Sequence, residues 1–244
     1  EHRGADATGG FRTISGAATR VPILRPVCLL ALPVVAEQRR SRICWDREWH
    51  RCFGRRLSEV TVGIIGVGRI GSQVVRHLAG FDCGRVLVND INSSLLLSDH
   101  TACTIEWVDK DTIYREADIV SLHVPLTGRT RDLITKKEFS LMQPNALLVN
   151  TARGGIVNEQ DLYEALEAGR ISGAAIDVFE EEPYRGKLAC LDQCLLTAHM
   201  GSMSIDCRAR MEIESTEEAV RFIMGEPLKS LVPKEEYDNQ RINI

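Results

Sequence analysis

Short apolar runs alternate with helical patterns along the chain from residue 57 onward. The runs are rich in β-branched residues and have few polar interruptions, which indicates strands buried on both faces of a sheet. Their alternation with helices is typical of βαβ units on a parallel sheet. The predicted strands are TVGIIG (61–66), RVLVND (85–90), ADIVSLHVP (117–125), NALLVNT (145–151), GAAIDVF (173–179) and CLLTAHM (194–200). This pattern predicts an α/β fold with a doubly wound parallel sheet and helices on both faces.

The segments between the strands have apolar residues at helical spacing. In NEQDLYEALEAG, we predict that Asn158 is the N-cap of a helix and that the helix ends at Gly169. A C-terminal pattern through Ile213, Val220 and Ile223 ends at Gly225 and predicts a further helix, followed by a polar tail. The predicted helices therefore include RIGSQVVRHLAG (69–80), TKKEFSLM (135–142), NEQDLYEALEAG (158–169) and the C-terminal stretch that starts at 211.

The 56 residues before this region lack the alternation. An apolar stretch at 20–37 superficially resembles a secretory signal, but three prolines and Arg25 interrupt it. It is too short and too broken for a membrane span. We interpret it as a linker or as the remnant of another domain.

Composition narrows the function to small-molecule chemistry. The chain has 244 residues, of which 44% are hydrophobic and 26% charged, as in ordinary globular proteins. Its 30 basic and 34 acidic residues are interspersed, with a net charge of -4, so no basic surface for nucleic acid or anionic lipid is expected. Eight cysteines without a CxxC pair favour a reducing cytoplasm over a disulfide scaffold, and we expect no metal site.

A glycine motif lies at the first strand–helix junction. Gly66, Gly68 and Gly71 in GIIGVGRIG fit G-x-G-x-x-G. Such glycines provide a tight turn, close approach of the backbone to a pyrophosphate, and packing of helix on strand. Asp90 ends the next strand about twenty residues later, where an acid binds ribose hydroxyls and repels a 2′-phosphate. The combination predicts a Rossmann-type domain that binds NAD in preference to NADP.

Several polar residues follow the predicted strands, where ligands bind in open α/β sheets. These are His123, Arg153, Asp177 and His199, and Glu182 lies in the loop after Asp177. An arginine fork matches a carboxylate, and a histidine paired with a carboxylate moves a hydroxyl proton at neutral pH. Arg153, His199 and Glu182 are therefore candidates for these parts.

Longer motifs carry a family resemblance. SLHVPLTGRTRDLI, LMQPNALLVNTARGGIVNEQDLYEAL, GAAIDVFEEEP and LLTAHMGSMS, together with the glycine motif, resemble the NAD-dependent D-2-hydroxyacid dehydrogenases, which include D-3-phosphoglycerate dehydrogenase and hydroxypyruvate reductase. The resemblance implies that Arg153 holds the substrate's carboxylate and carbonyl, and that His199 is the general acid/base paired with Glu182. The cofactor-binding residues that it implies are Gly66, Gly68, Arg69, Ile70, Gly71, Asp90, His123, Val124, Pro125, Thr151, Ala152, Asp177 and Gly201.

Two details refine this resemblance. Formate dehydrogenases of the family pair the histidine with glutamine, whereas this chain has Glu182, which argues for interconversion of hydroxy and keto acids. Ala198 replaces the family's usual proline before the histidine, and we expect it to alter loop stiffness more than chemistry.

The resemblance also suggests a division of the chain. We expect residues 1–27 to be irregular or a remnant of the family's substrate domain, and we expect most of that domain to be absent. Residues 28–56 would form a connecting helix and dimerisation arm. Residues 57–202 would form the NAD-binding domain, and 203–244 a C-terminal helix and tail. Trp45 and Trp49 would contribute to a homodimer contact.

Two function classes remain open at this point. The first is an NAD-dependent oxidoreductase that interconverts a D-2-hydroxy acid and its 2-keto acid. The second is an NAD(H)-binding protein without turnover, either a redox-sensing corepressor-like protein or an inactive remnant. The candidate catalytic residues favour the first class, and the shortened N-terminal region favours the second.

Overall fold

The computed structural model describes residues 55–92, 103–229 and 231. They contain a seven-stranded parallel sheet with the strand order β3-β2-β1-β4-β5-β6-β7. Its strands are β1 Thr61–Ile65, β2 Arg85–Asn89, β3 Thr104–Trp107, β4 Ile119–Leu122, β5 Leu147–Asn150, β6 Gly173–Ile176 and β7 Cys194–Leu196. The strand order reverses between β1 and β4, the position where Rossmann-type folds bind ligands beyond the carboxyl ends of the strands. The predicted fold class is confirmed.

Five α-helices accompany the sheet in the described residues: α1 Gly71–Ala79, α2 Lys110–Glu116, α3 Lys136–Leu141, α4 Glu159–Glu167 and α5 Ile205–Met224. Short 3-10 turns occur at Leu57–Glu59 and Lys187–Cys190. The predicted signals of α4 are confirmed, since the Asn158 side chain accepts a hydrogen bond from the Asp161 N–H at 3.0 Å and Gly169 has φ +63°. α5 likewise ends at the left-handed Gly225.

The core is divided between the two faces of the sheet. β4 is buried along its whole length, and Ile119 packs in one hydrophobic cluster while Val120 packs in the other. The cluster around Ile119 includes Val74 and Leu78 of α1, and the cluster around Val120 contains residues of α2, α3 and α4. Because alternate strand residues point to opposite faces, helices on both sides are needed to exclude water from the sheet.

Several predicted boundaries were wrong. The strand predicted at 117–125 is confined to Ile119–Leu122, because the chain leaves the sheet at His123 to form the site loops. α1 begins at Gly71 rather than at residue 69, and α5 begins at Ile205, capped by Ser204, ahead of the stretch starting at 211.

Two elements were not predicted. β3 is an edge strand whose sequence, TIEW, is only partly buried, so it lacks an apolar run. α2 has seven residues, too few to show a helical period.

The predictions for residues 1–54, including Trp45 and Trp49, lie outside the described residues. The proposed domain boundaries therefore stay predictions. None of the helices in the described ranges is long and apolar enough to cross a membrane.

Candidate active site at the carboxyl ends of the strands

The three motif glycines occupy three different environments between β1 and α1. Gly66 has φ +93°, and a Cβ there would lie 2.6 Å from the backbone oxygen of His123. A Cβ on Gly71 would lie 1.9 Å from the Gly66 oxygen, so only glycine allows α1 to pack this close to the loop. Gly68 has no atom within 4 Å of the corresponding position. The loop is therefore open at the side where a pyrophosphate would approach.

Asp90 lies next to this loop. Its Oδ2 accepts a hydrogen bond from the Val67 N–H at 2.6 Å, and its Oδ1 accepts one from the Asn92 N–H at 3.0 Å. Arg69 and Ile70 are exposed between the loop and α1. An open glycine loop, the N-terminus of α1 and an adjacent carboxylate fit a dinucleotide.

His123 follows β4 and lies next to the glycine loop, where a Cβ on Gly71 would be 3.5 Å from its Cβ. Its N–H donates to the oxygen of Ile65 at 2.8 Å, and its Nε2 lies 2.9 Å from the Ser121 hydroxyl. Burial lowers the pKa of His123 to about 4, so the ring is neutral at pH 7. Val124 is partly buried beside it and Pro125 is exposed.

Asn150 shapes the loop that carries Arg153. The Asn150 side chain is buried, donates to the Arg153 oxygen at 3.0 Å and accepts from the Ala152 N–H at 3.1 Å. The Arg153 guanidinium is exposed and donates to the Ala152 oxygen at 2.7 Å. Thr151 is partly buried at the start of this loop. The sequence analysis missed Asn150, although a polar residue at the end of an apolar run was a usable signal.

His199 and Glu182 form the predicted pair. The Nδ1 of His199 lies 2.9 Å from Oε2 of Glu182, and Oε1 of Glu182 accepts the Phe179 N–H at 3.1 Å. The hydrogen bond from His199, then that from Phe179, holds the pKa of Glu182 below its usual range. Because the carboxylate is ionised and can only accept, Nδ1 donates, and Nε2 is the nitrogen available to exchange a proton.

Asp177 positions the chain around His199. It is buried, and its carboxylate accepts hydrogen bonds from the Thr197 hydroxyl and from the Met200 N–H, the latter at 3.0 Å. Its backbone oxygen accepts the His199 N–H at 2.8 Å. These contacts give Asp177 a structural role in addition to the cofactor contact that the family resemblance implies. Gly201 follows this loop and is exposed.

A cleft of about 360 Å³ brings together Arg153, Glu182 and His199. Its other lining residues are Leu126, Arg131, Gly154, Val178, Phe179 and Glu180. His123, Asp177 and the glycine loop do not line this cleft. Arg131 and Glu180 were missed by the sequence analysis, since nothing in TGRTRDLI distinguishes Arg131 from Arg129.

The described residues contain no group of three or more His, Cys, Asp or Glu side chains that could hold a metal ion. Cys190 is exposed, and Cys194 is buried in the core, which raises the pKa of its thiol to about 12. Cys194 therefore stays a neutral thiol at physiological pH.

Comparisons with known proteins identify the family of this chain. The family model described as the NAD binding domain of D-isomer specific 2-hydroxyacid dehydrogenases matches residues 32–201. The chain is 37% identical over 195 residues to a glyoxylate reductase of Thermofilum pendens, which covers 78% of this chain and 57% of that protein. It is 38% identical over 192 residues to a D-3-phosphoglycerate dehydrogenase of Methanocaldococcus jannaschii, covering 77% of this chain and 35% of the relative.

A solved structure shows the same fold. D-lactate dehydrogenase with NAD+ from Lactobacillus jensenii has a TM-score of 0.74 and 25% identity, covering 92% of this chain and 71% of that one. Like the two curated relatives, it is longer than the present chain, which spans 57% of the glyoxylate reductase. The match over residues 32–201 shows that the chain belongs to the D-isomer specific 2-hydroxyacid dehydrogenase family, and that its parallel sheet is the family's NAD-binding domain.

Proposed function

We propose that the protein interconverts a D-2-hydroxy acid and its 2-keto acid with NAD(H). The observation that carries this proposal is the cleft in which Arg153, Glu182 and His199 meet, with the ring of His199 hydrogen-bonded to Glu182 at 2.9 Å. A carboxylate clamp and a polarised imidazole are the protein groups that this reaction requires. The relatives named glyoxylate reductase point to small 2-keto acids as substrates.

Each residue has a separate task in the proposed reduction. The guanidinium of Arg153 binds the substrate's carboxylate and orients its keto group. NADH, when bound, would supply a hydride to the keto carbon. The electron pair of the C=O bond moves to oxygen, which takes the proton from Nε2 of His199. Glu182 stabilises the protonated imidazole beforehand and fixes its orientation. In the oxidation direction, His199 takes the proton back.

The cofactor would be held by the open glycine loop and by Asp90. We propose contacts of Gly68, Arg69 and Ile70 with the pyrophosphate, and of the Asp90 carboxylate with the adenosine ribose. Asp177 would contact the nicotinamide carboxamide, and the other predicted contacts of the cofactor are with Gly66, Gly71, His123, Val124, Pro125, Thr151, Ala152 and Gly201. The homodimer and the cytoplasmic location stay predictions from the sequence.

The proposed catalysis is tested by following NADH consumption with glyoxylate, hydroxypyruvate and pyruvate. We expect Arg153→Ala and His199→Ala each to lower kcat/KM by at least about a hundredfold, because each removes a group that stabilises the transition state. Arg129→Ala, at an exposed position outside the cleft, is the matched control and should leave kcat/KM unchanged.

The same assay separates the two function classes. Turnover that survives both substitutions would place the active site elsewhere. Saturable NADH binding, followed by nicotinamide fluorescence, without turnover of any keto acid would instead support the NAD(H)-binding protein. Absence of both signals would contradict the cofactor site as well.

A further inference from the structure

The charged side chains of the cleft are nearly all paired with one another. Five of them line it: Arg131, Arg153, Glu180, Glu182 and His199. Arg131 Nη1 lies 2.6 Å from Glu180 Oε1, and His199 Nδ1 lies 2.9 Å from Glu182 Oε2. Arg153 has no carboxylate oxygen within ion-pair distance among the described residues, and its guanidinium donates to the backbone oxygen of Ala152. The cleft therefore presents one guanidinium that makes no ion pair, although its charge helps to hold the pKa of Glu182 below its usual range.

Hydrogen bonds donated by the backbone N–H groups of Arg131 and Glu180 position this pair on the wall of the cleft. The Glu180 N–H donates to Oε1 of Glu159 at 2.8 Å, and the Arg131 N–H donates to the oxygen of Thr127 at 2.8 Å. A Cβ on Gly155 would lie 3.2 Å from Nη1 of Arg131. The second guanidinium thus lies against the loop that carries Arg153, with Glu180 as its counter-charge.

We propose that Glu180 determines substrate specificity by neutralising Arg131, so that the cleft takes 2-keto acids with one carboxylate and discriminates against those with a second anionic group. The proposal rests on the proposed function. A single carboxylate uses the unpaired fork of Arg153. A second carboxylate or phosphate meets the negative charge of Glu180, and Arg131 cannot bind it without giving up its partner.

Removing the charge of Glu180 should weaken the discrimination against a second anionic group. In Glu180→Gln the Arg131 fork loses its counter-charge and becomes available to a carboxylate or phosphate, which it fits bidentately. Glu181→Gln is the matched control, because Glu181 is the adjacent exposed glutamate and does not line the cleft. Both variants change the net charge of the protein by the same amount.

The experiment compares kcat/KM for hydroxypyruvate with kcat/KM for phosphohydroxypyruvate and oxaloacetate. We expect the wild type to prefer hydroxypyruvate by about tenfold or more. Glu180→Gln should reduce that preference by about tenfold, mainly through a lower KM for the two substrates with a second anionic group. Glu181→Gln should keep the wild-type ratio. Adding Arg131→Gln to Glu180→Gln should restore the discrimination, and the preference should weaken at high salt because both partners are half exposed.

Binding measurements keep the proposal separate from turnover. The NADH-saturated protein is titrated calorimetrically with oxamate, which has one carboxylate, and with tartronate, which has two. The wild type should bind oxamate more tightly than tartronate, and Glu180→Gln should reduce this difference. If no keto acid is reduced but this preference is found, the proposed function fails and the specificity stands. Equal treatment of mono- and dianions by the wild type, equal effects of the two glutamine variants, or binding of neither anion would overturn the proposal.

Discussion

His199 occupies a backbone conformation that side chains other than glycine rarely adopt. Its φ is +47°, in the left-handed region. The hydrogen bond from its N–H to Asp177 and the contact of its ring with Glu182 hold it there. Such conformations persist where the surroundings over-determine them, and they concentrate at functional sites. The fold itself therefore holds the ring of His199 in one orientation.

The lowered pKa of His123 makes the stability of the fold depend on pH. Its pKa in the fold is about 4, below the usual value of about 6.5 in an unfolded chain. Between these values the unfolded chain binds a proton that the folded chain excludes, so the free energy of unfolding falls as the pH decreases from about 6.5 to about 4. The full contribution of His123 to the free energy of unfolding is present above pH 6.5. Because the ring is partly exposed, about 3 kcal/mol is an upper bound for this contribution.

We therefore expect His123→Gln to lose less stability on acidification than the wild type. Urea unfolding at pH 7 and at pH 4.5 measures the difference for both proteins. Carboxylates that titrate in the same range affect both proteins alike, so they cancel in the comparison. Identical losses in the two proteins would show that His123 is protonated readily in the fold.

At the scale of elements, the junction between β1 and α1 combines packing with binding. Gly71 lies where a methyl group would overlap the backbone of Gly66, whereas Gly68 faces open space. The two glycines of one motif thus serve different purposes. One is required by the fold, and the other leaves room for a ligand.

Alanine substitutions should separate these purposes. Gly71→Ala should lower the free energy of unfolding by about 2 kcal/mol or more, because backbone atoms cannot yield to the added methyl group. Gly68→Ala should change stability by less than about 0.5 kcal/mol and yet weaken NADH binding by about tenfold or more, as its methyl group enters the space for the pyrophosphate. Denaturant unfolding and fluorescence titration measure the two effects. A reversed pattern would contradict this division of roles.

At the scale of the whole molecule, α5 differs from the other helices. None of its residues is buried among the described residues, and its apolar residues Ile213, Val220 and Ile223 are 57%, 53% and 79% exposed. By contrast, Leu166 of α4 is 1% exposed in the core. The free energy that holds the described domain together therefore comes from the sheet and the helices α1 to α4.

Truncation of side chains tests how much α5 and the core helices contribute to the free energy of unfolding. Combined Ile213→Ala and Val220→Ala should change the free energy of unfolding by less than about 0.5 kcal/mol, because no cavity forms and alanine favours the helix. Leu166→Ala is the control and should cost about 2 to 5 kcal/mol. Both are measured by denaturant unfolding at several protein concentrations. A large, concentration-dependent loss in the α5 variant would mean that another chain covers this face in solution.

The sequence by itself determined the kinds of elements, the glycine motif and the residues at the strand ends. These features depend on local periodicity and on the chemistry of single residues, so the prediction of α4 from Asn158 to Gly169 was correct in detail. The sequence did not predict β3, which is partly polar, or α2, which is short. A weak local pattern cannot reveal an element that its neighbours stabilise.

Only the tertiary structure decided which side chains meet. Arg131 and Glu180 are 49 positions apart, and Asn150 acts through the backbone of the loop that follows it. It also decided that the apolar residues of α5 stay uncovered among the described residues, which their helical spacing alone does not reveal. Contacts across the sheet depend on strand order and loop geometry, and these arise from the packing of the whole chain rather than from any local stretch of it.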